Sequence, residues 1–360
     1  MSLPRVAIRS TVVLTFLAFA IAAAEPDLET LMQNGHWKRA RVLAEAGYNT
    51  HPNDARAAWL LSRVRHQFQD GDDGVKYAEL AIRLDPKVGA YHRALYEAYM
   101  DQIQKAAVFT RLGMIHKMRA ELDTAALLAP KDPDTLTLEI VHLVNAPAMA
   151  GGDKKKAAEI ANEMVKSDAA AGYLALARIA RAEKEEGKLE GLYQKTVESD
   201  PKRYEARMAL AAFYSAAPHQ NFAAMEQHAR AALDLNPDRI GAYRWLAFAL
   251  ASQKRFDEMS KVLARAEAAV PDDLSPFVFA ARAMLGGGFE LPKAETYLKK
   301  YLTETKEPEA GAPPFAGAHW SLGLVYEKEG RRAEAKSELQ TAVRLKPDFE
   351  PAKNDLKRFQ

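Results

Sequence analysis

The sequence has no cysteine, and this absence closes several routes at once. It rules out a disulfide, a thiolate metal site, a cysteine nucleophile and a thiol that could carry a lipid. There is no His-Glu-x-x-His run and no Gly-x-Ser-x-Gly elbow, so neither a zinc-protease helix nor a hydrolase nucleophile is signalled. Gly286-Gly287-Gly288 is not followed by the Lys-Ser or Lys-Thr that a phosphate loop demands. Runs of β-branched residues are scarce. With alanine abundant, 48% hydrophobic residues and 27% charged residues, the composition favours helix over sheet.

Long apolar runs are also missing, apart from one at the start. Arg5 and Arg9 form a positive region, Thr11 to Ile21 an apolar one, and Ala22-Ala23-Ala24 a small-residue cleavage site. The run is about a dozen residues, short of the roughly 20 a spanning helix needs, so residues 1–24 read as a cleavable signal peptide. Removing them takes two (Arg5 and Arg9) of the 50 basic residues and none of the 48 acidic ones, leaving 48 against 48. A neutral chain lacks the bulk charge that draws a protein to nucleic acid. The expectation is a periplasmic or secreted protein with no stable membrane insertion.

Internal repetition supplies the fold. An Asp or Asn followed by Pro closes apolar-periodic segments at Asp85-Pro86, Asp200-Pro201 and Asn236-Pro237. Pro52 to Pro86 and Pro237 to Pro271 are each 34 residues apart. The clearest unit runs from Ala316 to Phe349: Leu322-Gly323 and Tyr326 lie on one helix, Ala335, Leu339 and Ala342 on the next, and Pro347 ends it. Gly323 and Ala335 are small where two helices cross, Tyr326 and Leu339 fill the seam, and proline stops the second helix. The same register passes through Tyr243, Leu246, Ala247, Ala266 and Pro271, through Trp59, Leu61, Ala78 and Pro86, and through Tyr173, Leu176, Ala177, Tyr193 and Pro201.

These positions resemble the tetratricopeptide repeat over nearly the whole mature chain. The resemblance implies an all-α fold, a right-handed α-solenoid superhelix of antiparallel helix pairs. It spans residues 25–349 in eight or nine units, the first partial, with residues 350–360 as a capping helix. Units at 87–168 are atypical. Pro86 to Pro130 is 44 residues, about ten too many, expected as longer helices through Lys105 to Met118, and the turn Ala146–Asp153 is long and glycine-rich. A Pro- and Gly-containing linker covers 306–315. The pairing of the extended unit with Ala146–Ala157 looks like a subgroup of exported bacterial tetratricopeptide proteins. The chain is also loosely similar to the periplasmic T-components of tripartite transporters, which would imply contact with a solute-binding protein.

In such a superhelix the first helix of each pair lines the inner wall. By register that wall holds Arg56, Trp59, Arg63, Arg93, Arg178, Arg181, Arg244, Phe248 and Trp320. Guanidinium groups beside aromatic faces suit a carboxylate or acidic peptide. Against this, Glu97, Asp101, Glu205 and Glu327 share the wall, and arginine is common on solvated helix faces. A co-chaperone-type carboxylate clamp is not expected, because Glu97 stands where that group has Asn. Gly151-Gly152-Asp153 before three lysines offers either an anion-binding helix start or a plain turn capped by Asp153. Asp70–Gly74 fails the calcium-loop spacing, with Val75 where glycine is needed and Ala81 where glutamate is needed.

The function expected is a non-catalytic scaffold binding a protein or peptide, possibly acidic, along its concave surface in the periplasm. The alternative is a small-ligand or transporter-accessory role. No cofactor, metal or catalytic residue is expected.

Overall fold

The computed structural model describes residues 26–359. The expected signal peptide, residues 1–24, therefore lies outside the described residues. Among the described residues there are helices and short 3-10 turns but no strand. The helices come in nine consecutive pairs: α1 Leu28–Asn34 and α2 Trp37–Thr50; α3 Ala55–Gln67 and α4 Gly71–Leu84; α5 Gly89–Lys105 and α6 Val108–Leu128; α7 Pro133–Asn145 and α8 Lys154–Ser167; α9 Ala169–Ala182 and α10 Glu186–Ser199; α11 Tyr204–Phe213 and α12 Phe222–Leu235; α13 Ile240–Ser252 and α14 Phe256–Ala269; α15 Ser275–Gly287 and α16 Leu291–Glu304; α17 Phe315–Lys328 and α18 Arg332–Leu345. A short helix, α19 Glu350–Leu356, follows. The chain is an α-solenoid of helix pairs.

The two helices of a pair are buried differently, and the sequence says why. In α14 the buried residues are Met259, Leu263 and Ala266, at i, i+4 and i+7, a single stripe. The same spacing recurs as Met118, Leu122 and Ala125; Ala157, Ala161 and Met164; Met225, Ala229 and Ala232; Ala294, Leu298 and Tyr301; and Ala335, Leu339 and Ala342. First helices are apolar around more of their circumference. In α13, Ala242, Tyr243, Leu246, Ala247, Ala249 and Leu250 are all buried, because it is packed by its own partner and by the pairs on either side.

Small residues set the crossings. A Cβ at Gly323 would lie 3.0 Å from Leu339 and 3.2 Å from the Ala335 carbonyl, so α17 and α18 meet there by backbone approach. The recurring Asp/Asn-Pro pairs are turns between units. Asp85 Oδ1 accepts the Lys87 amide at 3.1 Å, Asp200 Oδ1 the Lys202 amide at 3.0 Å, and Asn236 Oδ1 the Asp238 amide at 3.0 Å. The side chain thus closes an Asx turn while the following proline prevents the helix from continuing.

In the 44-residue unit both helices are long: α5 has 17 residues and α6 has 21. The buried stripe of α6 begins only at Met118, and Val108 and Phe109 are 79% and 86% exposed at its start. The turn before α8 is a 3-10 turn, Ala148–Ala150, closed by Gly151 at φ +90°.

The candidate binding wall

The nine wall positions lie on five first helices, α3, α5, α9, α13 and α17, so they are spread along the solenoid instead of meeting at one point. On α3, Arg63 sits over the Trp59 ring at 5.2 Å, Trp59 packs on Tyr91 at 5.8 Å, and Arg56 pairs with Glu29. Arg93 is buried and held by Asp132 and Asp134. Arg244 is held as firmly: Nη2 donates to Asp273 at 2.8 Å, Nε to Ser275 Oγ at 2.5 Å and Nη1 to the Gly311 carbonyl at 3.0 Å. The charges of Arg93 and Arg244 are therefore used inside the solenoid. On α9, Arg178 is exposed and has no ion pair among the described residues, while Arg181 donates to the Tyr193 hydroxyl at 2.7 Å. Phe248 packs beside Phe222 and Trp245, and Trp320 Nε1 donates to Asp355 at 2.6 Å.

The acidic members of the wall are mostly paired as well. Asp101 meets His66 at 2.8 Å, Glu205 meets Arg239 at 2.7 Å and Glu327 meets Arg358 at 2.6 Å. Glu97 is the exception, and burial pushes its carboxyl above the ordinary range.

One wall arginine stands apart from all of these. Arg282 on α15 lies mostly away from solvent, with Nε donating to Ser321 Oγ at 3.2 Å and Nη2 to the Gly317 carbonyl at 3.4 Å. No carboxylate pairs with it among the described residues, and burial lowers its pKa. It lines an open cleft of about 700 Å³ with Leu285, Trp320, Leu324 and Arg358. It was readable from register: it follows buried Ala281 as Arg63 follows buried Ser62 and Arg178 follows buried Ala177.

The chain also closes on itself, a contact that no local pattern signals. The first pair reaches three inter-unit turns far along the sequence. Asn236 Nδ2 donates to Asn34 Oδ1 at 2.9 Å, Arg39 approaches Asp272 at 3.4 Å, and Arg41 meets Glu307. The 306–315 linker is thus a seat for α2. Between α1–α2 and the starts of α11 and α13 lies a second open cleft, about 470 Å³, lined by Trp37, Tyr204, Met208, Arg239 and Arg244. Arg239 stacks over the Tyr204 ring at 3.9 Å.

The glycine turns have structural explanations. Asp153 Oδ1 itself accepts the Lys156 amide at 3.0 Å, occupying the start of α8 that an anion would need. A Cβ at Gly152 would lie 1.9 Å from the Ala146 carbonyl, so only glycine fits there. Gly288, at φ +68°, ends α15 as its left-handed cap, and Asp70, Asp72 and Asp73 stand at the start of α4, favoured by the helix dipole. Among the described residues no cluster of three potential metal ligands occurs, and no helix is long and apolar enough to cross a membrane.

Residues 316–349, the α17–α18 unit, match the family described as tetratricopeptide repeat. The α17–α18 unit is thus a tetratricopeptide repeat, within a chain that is an α-solenoid of helix pairs. Its fold is similar to a tetratricopeptide repeat protein from Parabacteroides merdae (15% identity, 84% of this chain and 97% of that one, TM-score 0.45). It is also similar to a chain of the Cut9–Hcn1 hetero-tetramer of APC/C (14% identity, 91% and 75%, TM-score 0.45). A third is YrrB, described as a TPR protein with an unusual peptide-binding site (19% identity, 56% and 100%, TM-score 0.34). No curated protein matches the sequence.

Proposed function

We propose that this α-solenoid is a non-catalytic scaffold that holds a protein or peptide partner along the wall made by its first helices. Supporting this reading is the succession of open, partly apolar clefts on that wall, from Tyr204 and Arg239 to Arg282 and Trp320. Open clefts of this kind suit an extended peptide or a helix, which gains affinity from many modest contacts along its length. Exposed Arg178 and Arg181, with Arg63 over Trp59, favour acidic side chains on the partner. A periplasmic or extracellular setting is part of this proposal, supported by the basic, apolar and small-residue pattern from Arg5 to Ala24.

The test is crosslinking of the tagged protein in extract, with partners identified by mass. The reading requires one protein recovered in near-equal amount and lost on Arg178→Glu/Arg181→Glu; recovery unchanged by that reversal would remove the arginines from it. A small-ligand or transporter-accessory role is the second reading. It draws on one observation, a cleft of about 380 Å³ in the atypical units lined by Tyr96, Met100, Ile103, Met118 and His142. Recovery of a solute-binding protein would favour it.

A further inference from the structure

The seat of the first helix pair is a charge-matched surface. Helix α2 presents Lys38, Arg39 and Arg41; the turns beneath it present Asp272, Asp273, Glu307 and Glu309. Lys38 Nζ donates to the carbonyls of Asp272 at 2.5 Å and Glu307 at 3.1 Å, and the Lys38 amide donates to Glu309 Oε1 at 3.0 Å. Arg41 forks onto both oxygens of Glu307 at 3.0 and 2.6 Å. Arg244 holds Asp273, and Lys306 beside Glu307 is exposed. Without α2 the shelf is acidic.

The fit is nonetheless poor. Arg39 Nε lies 3.4 Å from Asp272 Oδ2 without hydrogen-bond geometry, and Asp272 Oδ1, Glu309 Oε2 and Arg39 Nη2 are buried without a hydrogen-bond partner. Buried polar atoms left in this way are costly, and well-made interfaces contain few of them. Helix α2 packs its apolar face, Ala40 and Ala44, on α1 and α3, while Val42 and Leu43 stay 64% and 36% exposed. A site with strong charge matching is thus filled by a helix that leaves much of it unsatisfied.

We infer that the shelf formed by Asp272, Asp273, Glu307 and Glu309 is a docking site for a basic amphipathic helix of a partner protein, and that α2 is the resident occupant this helix displaces. The surface is distinct from the Arg178 and Arg181 region, though it meets the wall where Arg244 holds Asp273. A partner helix with two or three Lys or Arg side chains on one face would supply donors to Asp272 Oδ1 and Glu309 Oε2, the oxygens α2 leaves without one. Because α2 is tethered, it competes at high effective concentration, and an incoming helix must be better matched or more abundant.

The absence of cysteine makes the test clean. Gly47→Cys and Thr303→Cys, both exposed, carry a donor–acceptor dye pair on the full chain, reporting the distance between α2 and α16. The probe is a synthetic peptide of residues 36–50, with a control in which Lys38, Arg39 and Arg41 are glutamate. The peptide should lower energy transfer saturably, with the control inert. It should bind about tenfold more tightly to the Arg41→Glu chain, whose own α2 is weakened, and about tenfold more weakly after Asp272→Asn/Glu307→Gln. Failure of the peptide to bind the Arg41→Glu chain, with helicity intact, would overturn the inference. So would dimers in sedimentation formed by exchange of α2 between two copies, since the occupant would then be this chain itself.

Discussion

Arg41 and Glu307 are 266 residues apart in sequence and joined by two parallel hydrogen bonds of 3.0 and 2.6 Å. This pair ties the first unit to the turn before the last unit, and it holds the Glu307 carboxyl below the usual carboxylate range. The side chains are 26% and 44% exposed, so solvent screens part of the attraction. Arg41→Glu or Glu307→Arg alone should loosen the first pair by roughly 1 kcal/mol, and the double exchange should restore most of it. Hydrogen exchange of α1 and α2 measures this directly; equal, additive losses would mean the pair contributes nothing specific.

The seat should respond to pH through two groups of opposite sign. Burial raises Glu309 to about 7 from 4.5, against the attraction of Lys38 and with added repulsion from Asp273. A raised carboxyl favours the docked form at low pH, and that contribution is lost as pH rises through about 7. His36 is lowered below 6.5 by burial and by Arg39, against the pull of Asp272, Asp238 and Asp273, so its contribution is lost as pH falls through 6.5. Docking in His36→Asn should therefore weaken from pH 5 to 8, and docking in Glu309→Gln should strengthen. Energy transfer between the dyes at 47 and 303 reads both; the same slope in the two variants would exclude this assignment.

Two wall arginines should behave oppositely when replaced by methionine. Arg282 is half-buried with no carboxylate partner among the described residues, so Arg282→Met should leave thermal stability unchanged or raise it by about 1 kcal/mol. Arg93→Met removes the partner of Asp132 and Asp134 and should cost about 1–3 kcal/mol. Melting curves by circular dichroism decide, and a large loss for Arg282→Met would show that its hydrogen bonds to Ser321 and Gly317 outweigh the desolvation.

The α8–α9 junction tolerates no side chain at Gly172, where a Cβ would sit 2.4 Å from the Val165 amide nitrogen. Gly172→Ala should destabilise by roughly 1–3 kcal/mol although alanine is the better helix former. The melting curve of that variant is the check, and a stabilised protein would contradict the close approach.

Much of the solenoid was legible because a repeat writes its packing locally. The i, i+4, i+7 stripe of most second helices, the small Gly323 opposite Ala335, and the Asx turns at Asp85, Asp200 and Asn236 all depend on residues within one unit. Register places the nine expected wall residues on first helices for the same reason. What register cannot give is the partner each charge finds across units: Asp132 for Arg93, Asp273 for Arg244, none for Arg282. Closure of the first pair onto the 306–315 segment was illegible on stronger grounds. It depends on curvature accumulated over eight pairs, and a short basic helix or a linker with two glutamates carries no local mark of the other.

The most direct measurement is the footprint of a captured partner, read by hydrogen–deuterium exchange on the full chain. Binding along the wall requires protection on first helices, α9, α13, α15 and α17 among them, with their second helices α10, α14, α16 and α18 little changed. Protection confined to the second helices would contradict it.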